Sequence, residues 1–149
     1  MHTLENIRIM LLAQHENIRR RIEKIRKLVE LWRKRERTRD DLEESLRNLA
    51  DEVTSHNRCE EDLLGEIIPT IDAWGPLRAE AMLDAHIAEH RELGRELVAA
   101  AAETDAETGA TRISAMLKGL LEHMDHEERT FLSENLLTDS LASRDSFGG

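Results

Sequence analysis

The chain has little that punctuates or cross-links a fold. Among 149 residues there are one Cys, two Pro and seven Gly. A lone Cys excludes a disulfide framework and any zinc or iron–sulfur site built on several thiolates. So few turn-forming residues argue against a many-stranded β fold and for long helices. Tyr is absent, which removes one common donor for oxidative radical chemistry. Long apolar runs are missing too. The longest, Leu97 to Ala102, is six residues, and Ile9 to Ala13 is five, far short of the ~18 that span a bilayer. No secretory signal is legible, so a soluble, cytoplasmic protein without a membrane partner is expected.

What is present is charge and histidine. Acidic residues number 31 and basic residues 21, a formal net charge of −10. That surplus sets the domain as a whole against a nucleic-acid backbone. Hydrophobic residues at 40% suffice for one core and argue against disorder. The length suits one domain. Seven His are scattered along the chain, and their placement carries the functional information.

Four stretches show heptad-like apolar spacing. The first, from about Thr3 to Arg35, has a seam of Leu4, Leu11, Ile18, Ile25 and Trp32 interleaved with His15, Ile22 and Val29. The second, from about Arg39 to Ile68, interleaves Leu42, Leu49, His56 and Leu63 with Leu46, Val53, Glu60 and Ile67. The third, from about Pro76 to Glu103, interleaves Ala79, His86, Leu93 and Ala100 with Leu83, His90 and Leu97. The fourth, from about Thr108 to Leu137, interleaves Ile113, Leu120 and Glu127 with Met116, His123 and Thr130. Pro69 to Pro76 and Glu103 to Gly109 read as connections. Between the first two stretches only Thr38 and Asp41 resemble a cap, so a continuous helix there is the alternative. Short connections make neighbouring helices antiparallel. The expected fold is all-α, an up-down-up-down antiparallel four-helix bundle over 1–137, followed by a short polar tail over 138–149.

His15, His56, Glu60, His86, His90, His123 and Glu127 all occupy seam positions. One such His is ordinary in a core. Seven ionisable groups would be expensive to bury unpaired. His56/Glu60, His86/His90 and His123/Glu127 are i, i+4 pairs, which stack on one helical face. Counted from the middle of each connection, the groups on adjoining helices agree to about 1–3 residues, or about 2–5 Å along the axis. An antiparallel bundle therefore brings all seven to one layer.

Five imidazoles and two carboxylates suit iron, zinc, copper or manganese better than magnesium or calcium. Seven ligands exceed the four of a structural zinc site. Two metals bridged by the carboxylates fit better. Two six-coordinate ions offer about twelve positions, of which the side chains and one bridging oxygen fill about eleven, leaving one open for a small ligand.

At this point the sequence resembles the hemerythrin, or HHE cation-binding, family. The resemblance runs from Leu4 to Leu137. It rests on His15, then His56-Asn57-Arg58-Cys59-Glu60, then His86-Ile87-Ala88-Glu89-His90, then His123-Met124-Asp125-His126-Glu127. It implies a non-haem di-iron centre, two iron ions bridged by an oxo or hydroxo group, with O₂, another diatomic or peroxide as the small ligand. Carriers, stores and sensors of oxygen occur in the family, as do peroxide-decomposing and iron- or NO-handling repair proteins. Invertebrate carriers show H-x-x-x-x-D in the fourth helix, a register that would select Glu128 here. Glu127 is preferred because it shares the seam with His123. Some HHE proteins use one His in the third helix, which makes His90 the firmer of its pair. The ferritin-like di-iron proteins need Glu-x-x-His pairs. Leu12, Val53, Leu83, Ile87 and Leu120 stand three residues before the seam His, so that reading fails.

Other features have plainer explanations. His126 lies one position beyond the seam and reads as a solvated flank residue, with a proton relay as the alternative. His2 is a chain-end residue. Cys59 reads as a half-buried thiol. The basic run Arg33 to Arg39 reads as a solvated helix end, with a docking knob as the alternative. Phe131, Leu11, Leu12, Ile18 and Met124 flank the ligand layer and serve either as a pocket for a diatomic or as ordinary core. A metal-storage module without redox chemistry is the third functional class, beside oxygen binding and peroxide turnover.

Overall fold

The computed structural model describes residues 4–67 and 76–133, with side chains over 5–66 and 80–133. The expected connection from Pro69 to Gly75, the end of the fourth stretch beyond Ser133 and the polar tail lie outside the described residues. Among the described residues there are four helices: α1 (Leu4–Arg33), α2 (Arg39–Ile67), α3 (Pro76–Ala102) and α4 (Ala106–Arg129). Each packs on two neighbours: α1 on α2 and α4, and α3 on α2 and α4. The fold is the all-α, up-down-up-down antiparallel four-helix bundle that the seam spacing predicts. No described helix is long and apolar enough to cross a membrane.

The seams bury as the heptads require. Ile18, Ile22, Ile25 and Val29 of α1 meet Leu42, Leu46, Leu49 and Val53 of α2, Leu97 and Ala100 of α3, and Ile113, Met116, Leu117 and Leu120 of α4. Each such Val, Leu, Ile or Met side chain contributes about 1.5–3 kcal/mol by leaving water. This large cluster fills one end of the bundle. At the other end Ile7, Leu11, Leu63 and Leu132 form a small cluster, and Leu64 and Phe131 form another. The seven polar seam residues lie in the layer between.

The helix ends differ from the sequence expectation in instructive ways. No continuous helix joins α1 to α2. The α1 helix stops at Arg33, and Arg35 takes the left-handed conformation at φ 60°. The Glu36 N–H bonds the Leu31 carbonyl at 2.8 Å, and the Arg35 N–H bonds Trp32 at 2.9 Å. That is a Schellman ending, with Arg where Gly is usual. The α2 helix begins just after Thr38, whose hydroxyl donates to Asp41 at 3.4 Å. The α4 helix begins at Ala106 rather than Thr108, because the Asp105 side chain accepts the Thr108 N–H at 2.9 Å and caps the first turn.

The fourth helix also ends at Arg129 rather than at Leu137. The Thr130 hydroxyl donates to the His126 carbonyl at 2.8 Å, and the Leu132 N–H closes on Glu127 at 2.9 Å. This turn sends Phe131 and Leu132 into separate apolar clusters, which a continuing helix does not achieve. Arg8 Nε then ties α1 to the Leu132 carbonyl at 3.0 Å.

Near the opposite end, Gly109 allows α1 and α4 to approach closely. A Cβ there would lie 2.5 Å from Trp32 Cη2, well inside van der Waals contact. Arg39, at the start of α2, donates to the carbonyls of Ala101 and Glu103 and so satisfies the end of α3.

Candidate metal centre

All seven residues predicted from the seam are buried, none more than 5% exposed. They fall into two groups, each able to hold a metal ion. Glu60, His86, His90, His123 and Glu127 make one; His15, His56, Glu60 and Glu127 make the other. In each group the candidate donor atoms lie within 4.8 Å of one another. Glu60 and Glu127 belong to both.

The shared carboxylates lie between the two sets of imidazoles. Glu60 Oε2 faces His56 Nε2 at 3.0 Å and His15 Nε2 at 3.6 Å. Its Oε1 faces His86, in close contact, and His90 at 3.4 Å. Glu127 Oε1 faces His123 at 3.1 Å and His15 at 3.4 Å. Its Oε2 faces His86 at 3.0 Å and His90 at 3.7 Å. Glu127 is thus inside the cluster. Glu128, the alternative register, lies outside it with 28% of its side chain exposed.

Four of the five imidazoles are gripped from behind. Gln14 Oε1 stands 2.6 Å from His56 Nδ1. Glu61 is 3.4 Å from His90 Nδ1. Glu89 is 2.7 Å from His123 Nδ1. Glu128 is 3.1 Å from His15 Nδ1. Each acceptor is the chain neighbour of a seam residue on one helix and serves the His of an adjacent helix. The order is α1 to α2, α2 to α3, α3 to α4, and α4 back to α1, a closed ring. With acceptors outside, the ring proton sits on Nδ1 and the Nε2 lone pair points inward.

That inward arrangement suits a cation. Glu60 Oε2, His90 Nε2, His123 Nε2 and both Glu127 oxygens are buried without a hydrogen-bond partner among the described residues. Buried acceptors facing one another are costly unless a proton or metal ion lies between them. Donors about 2.1 Å from a common ion stand roughly 3 Å apart, close to the separations here. The residues therefore fit bound metal by chemistry and by spacing.

Charge in the cluster follows the same logic. Burial pushes the Glu60 carboxyl up, but the His15, His56, His86 and His90 imidazoles packed around it outweigh burial and hold the group well below the usual carboxylate range. Burial pushes His123 down from 6.5; Glu89 opposes the shift, and His90 and His86 add to it. Outside the layer, Arg19 joins Glu16 at 2.7 Å, Asp125 at 3.1 Å and Glu128 in close contact. Burial lowers the Arg19 pKa, yet these carboxylates raise it above its ordinary value, so the guanidinium stays charged.

The flanking features take ordinary roles. His126 is exposed. Cys59 is partly buried beside Gln14, whose Nε2 lies 3.6 Å from Sγ. Arg33 pairs with Glu30 at 3.3 Å and Arg37 with Asp41 at 4.0 Å. Phe131 sets its ring edge-on to His86 with centroids 4.9 Å apart. Leu11, Ile18 and Met124 are fully buried on either side of the layer. An open groove of about 440 Å³ runs beside α1 and α2, lined by Gln14, Arg21, Asn48, Asp51, Glu52, Ser55 and His56.

Gln14, Glu61, Glu89 and Arg19 carry no periodic signal and escape a seam-based reading. The usable clue is a polar acceptor immediately beside one seam ligand on each helix.

A bundle of four antiparallel helices with a buried layer of five imidazoles and two shared carboxylates defines a helical protein whose core could hold metal. More narrowly, a family model for the hemerythrin HHE cation binding domain matches residues 6–134, and the chain belongs to that family. No curated protein and no solved structure matches the chain.

Proposed function

We propose that the cluster holds two iron ions and, so loaded, binds O₂ or a related diatomic as an oxygen carrier, store or sensor. The observation that carries this reading is the sharing of Glu60 and Glu127 by two donor groups. His86, His90 and His123 would serve one ion, His15 and His56 the other, with both carboxylates common to the pair. Such a pair would supply two one-electron centres for a small ligand. The protein's own contribution is to hold four of the five imidazoles by their Nδ1 atoms and to flank the layer with apolar clusters on both sides.

The test is anaerobic loading with ferrous iron followed by exposure to air. Two irons per chain and a visible absorption that appears with oxygen and fades on its removal are expected. A colourless protein, or fewer than two irons per chain, overturns the reading.

A second reading is peroxide decomposition in a cytoplasmic setting. It is favoured by Glu128, a part-exposed carboxylate in contact with both His15 and Arg19, which provides a route for protons between solvent and the layer. Oxygen release from H₂O₂ above the rate of free iron supports it; a rate no better than free iron sinks it.

A further inference from the structure

The ring of acceptors behind the imidazoles is uneven. Three of its four members are carboxylates: Glu61 behind His90, Glu89 behind His123 and Glu128 behind His15. The fourth is the neutral amide of Gln14 behind His56. A carboxylate behind a ligating imidazole makes it a stronger donor, and loss of such a partner typically costs 10–100-fold in metal affinity. Glu128 also shares its charge with the Arg19 guanidinium, so its pull on His15 is weakened.

The unevenness coincides with the donor count. The half containing His86, His90 and His123 has five donors, and the half containing His15 and His56 has four. The richer half has two carboxylates behind its imidazoles. The poorer half has an amide and a carboxylate already paired with a cation. Gln14 further lines the open groove that reaches His56.

We propose that the two halves fill in order, the first ion at His86, His90 and His123 and the second at His15 and His56, with Gln14 the positioning residue that keeps the second position weak. This rests on the two-metal reading above, but not on the identity of the metal or on oxygen chemistry. It gives the protein a stable one-metal state in which a second ion can enter, leave or be exchanged for another while the first remains.

The experiment is a titration of the metal-free full-length chain with cobalt(II). Visible absorbance follows the coordination, and native mass spectrometry counts the ions. Two steps are expected, the first at least about tenfold tighter than the second. In Gln14→Glu the second step tightens by about tenfold or more and the first is unchanged. In Gln14→Leu, which removes the acceptor without adding charge, the second step weakens. Glu89→Gln, at a side chain 48% exposed, weakens the first. His56→Ala leaves one ion bound at the wild-type first affinity, whereas His123→Ala abolishes the tight step.

Two indistinguishable steps in the wild-type chain overturn the order of filling and leave the two-metal reading standing. A second step unaffected in both Gln14 variants removes Gln14 from its role. Binding of fewer than two cobalt ions overturns this inference together with the two-metal reading.

Discussion

His15 and His56 face one another through their Nε2 atoms at 3.1 Å, while the Nδ1 of each is turned outward to Glu128 or Gln14. With the protons held outside, two lone pairs meet inside the bundle. A cation beside them converts that repulsion into coordination. Chelation is therefore expected to destabilise the chain, and metal to restore it. A metal at about 100 times its Kd adds about 2.7 kcal/mol, on the order of 10 °C in Tm for a domain of this size. Thermal melts with and without EDTA measure it. An unchanged Tm would contradict the arrangement.

Glu127 and Glu128 are adjacent in the chain but sit on different sides of His15. Glu127→Gln removes a carboxylate common to both donor groups, so bound metal should fall below two ions per chain. Glu128→Gln leaves both donor groups intact and loses only the carboxylate behind His15. Two ions should then still bind, with the weaker affinity falling by about tenfold. Metal analysis of the purified variants separates the two outcomes; equal losses in both would remove the distinction.

The approach of Trp32 to Gly109 predicts a stability effect far from the cluster. Gly109→Ala places a methyl group where the indole now lies. Overpacking of this kind costs about 1–3 kcal/mol, more than the helix propensity that Ala adds. Urea denaturation measures the loss. Combined with Trp32→Leu, the Ala substitution should cost much less than it does alone, and strict additivity would show that the two positions are not in contact.

The cap at Asp105 predicts a pH dependence. A hydrogen bond from the Thr108 backbone holds the Asp105 carboxyl below its ordinary 3.8. The unfolded chain therefore binds the proton more readily. The cap's contribution is fully present above 3.8 and is lost as pH falls through the lowered folded value. Asn caps without titrating. The Tm difference between wild type and Asp105→Asn should therefore shift toward the variant as pH drops from about 5 to about 3. A difference constant over that range would rule out titration of the cap.

Much of this molecule is legible in its sequence, for a physical reason. A bundle core selects apolar residues so strongly that His15, His56, Glu60, His86, His90, His123 and Glu127 stand out against the seam, and antiparallel register places them in one layer. Other features are not legible because they depend on partners distant in sequence. The early end of α4 follows from Phe131 and Leu132 finding separate apolar clusters, while their apolar character alone extends the helical pattern. The left-handed Arg35 lacks the Gly that normally announces such an ending. Gln14, Glu61 and Glu89 are flank residues by periodicity, and only packing shows which imidazole each one meets.

The closed order of the outer contacts has a mechanical consequence. Each helix lends an acceptor to one neighbour and receives one from the other, so the cluster works as a gauge of axial alignment. A slide of any helix by one turn, about 5.4 Å, breaks two of the four grips at once. Conversely, a tilt of one imidazole pulls on the neighbouring helix at a residue directly beside another ligand. Events at the layer are in this way coupled to the stagger of all four rods.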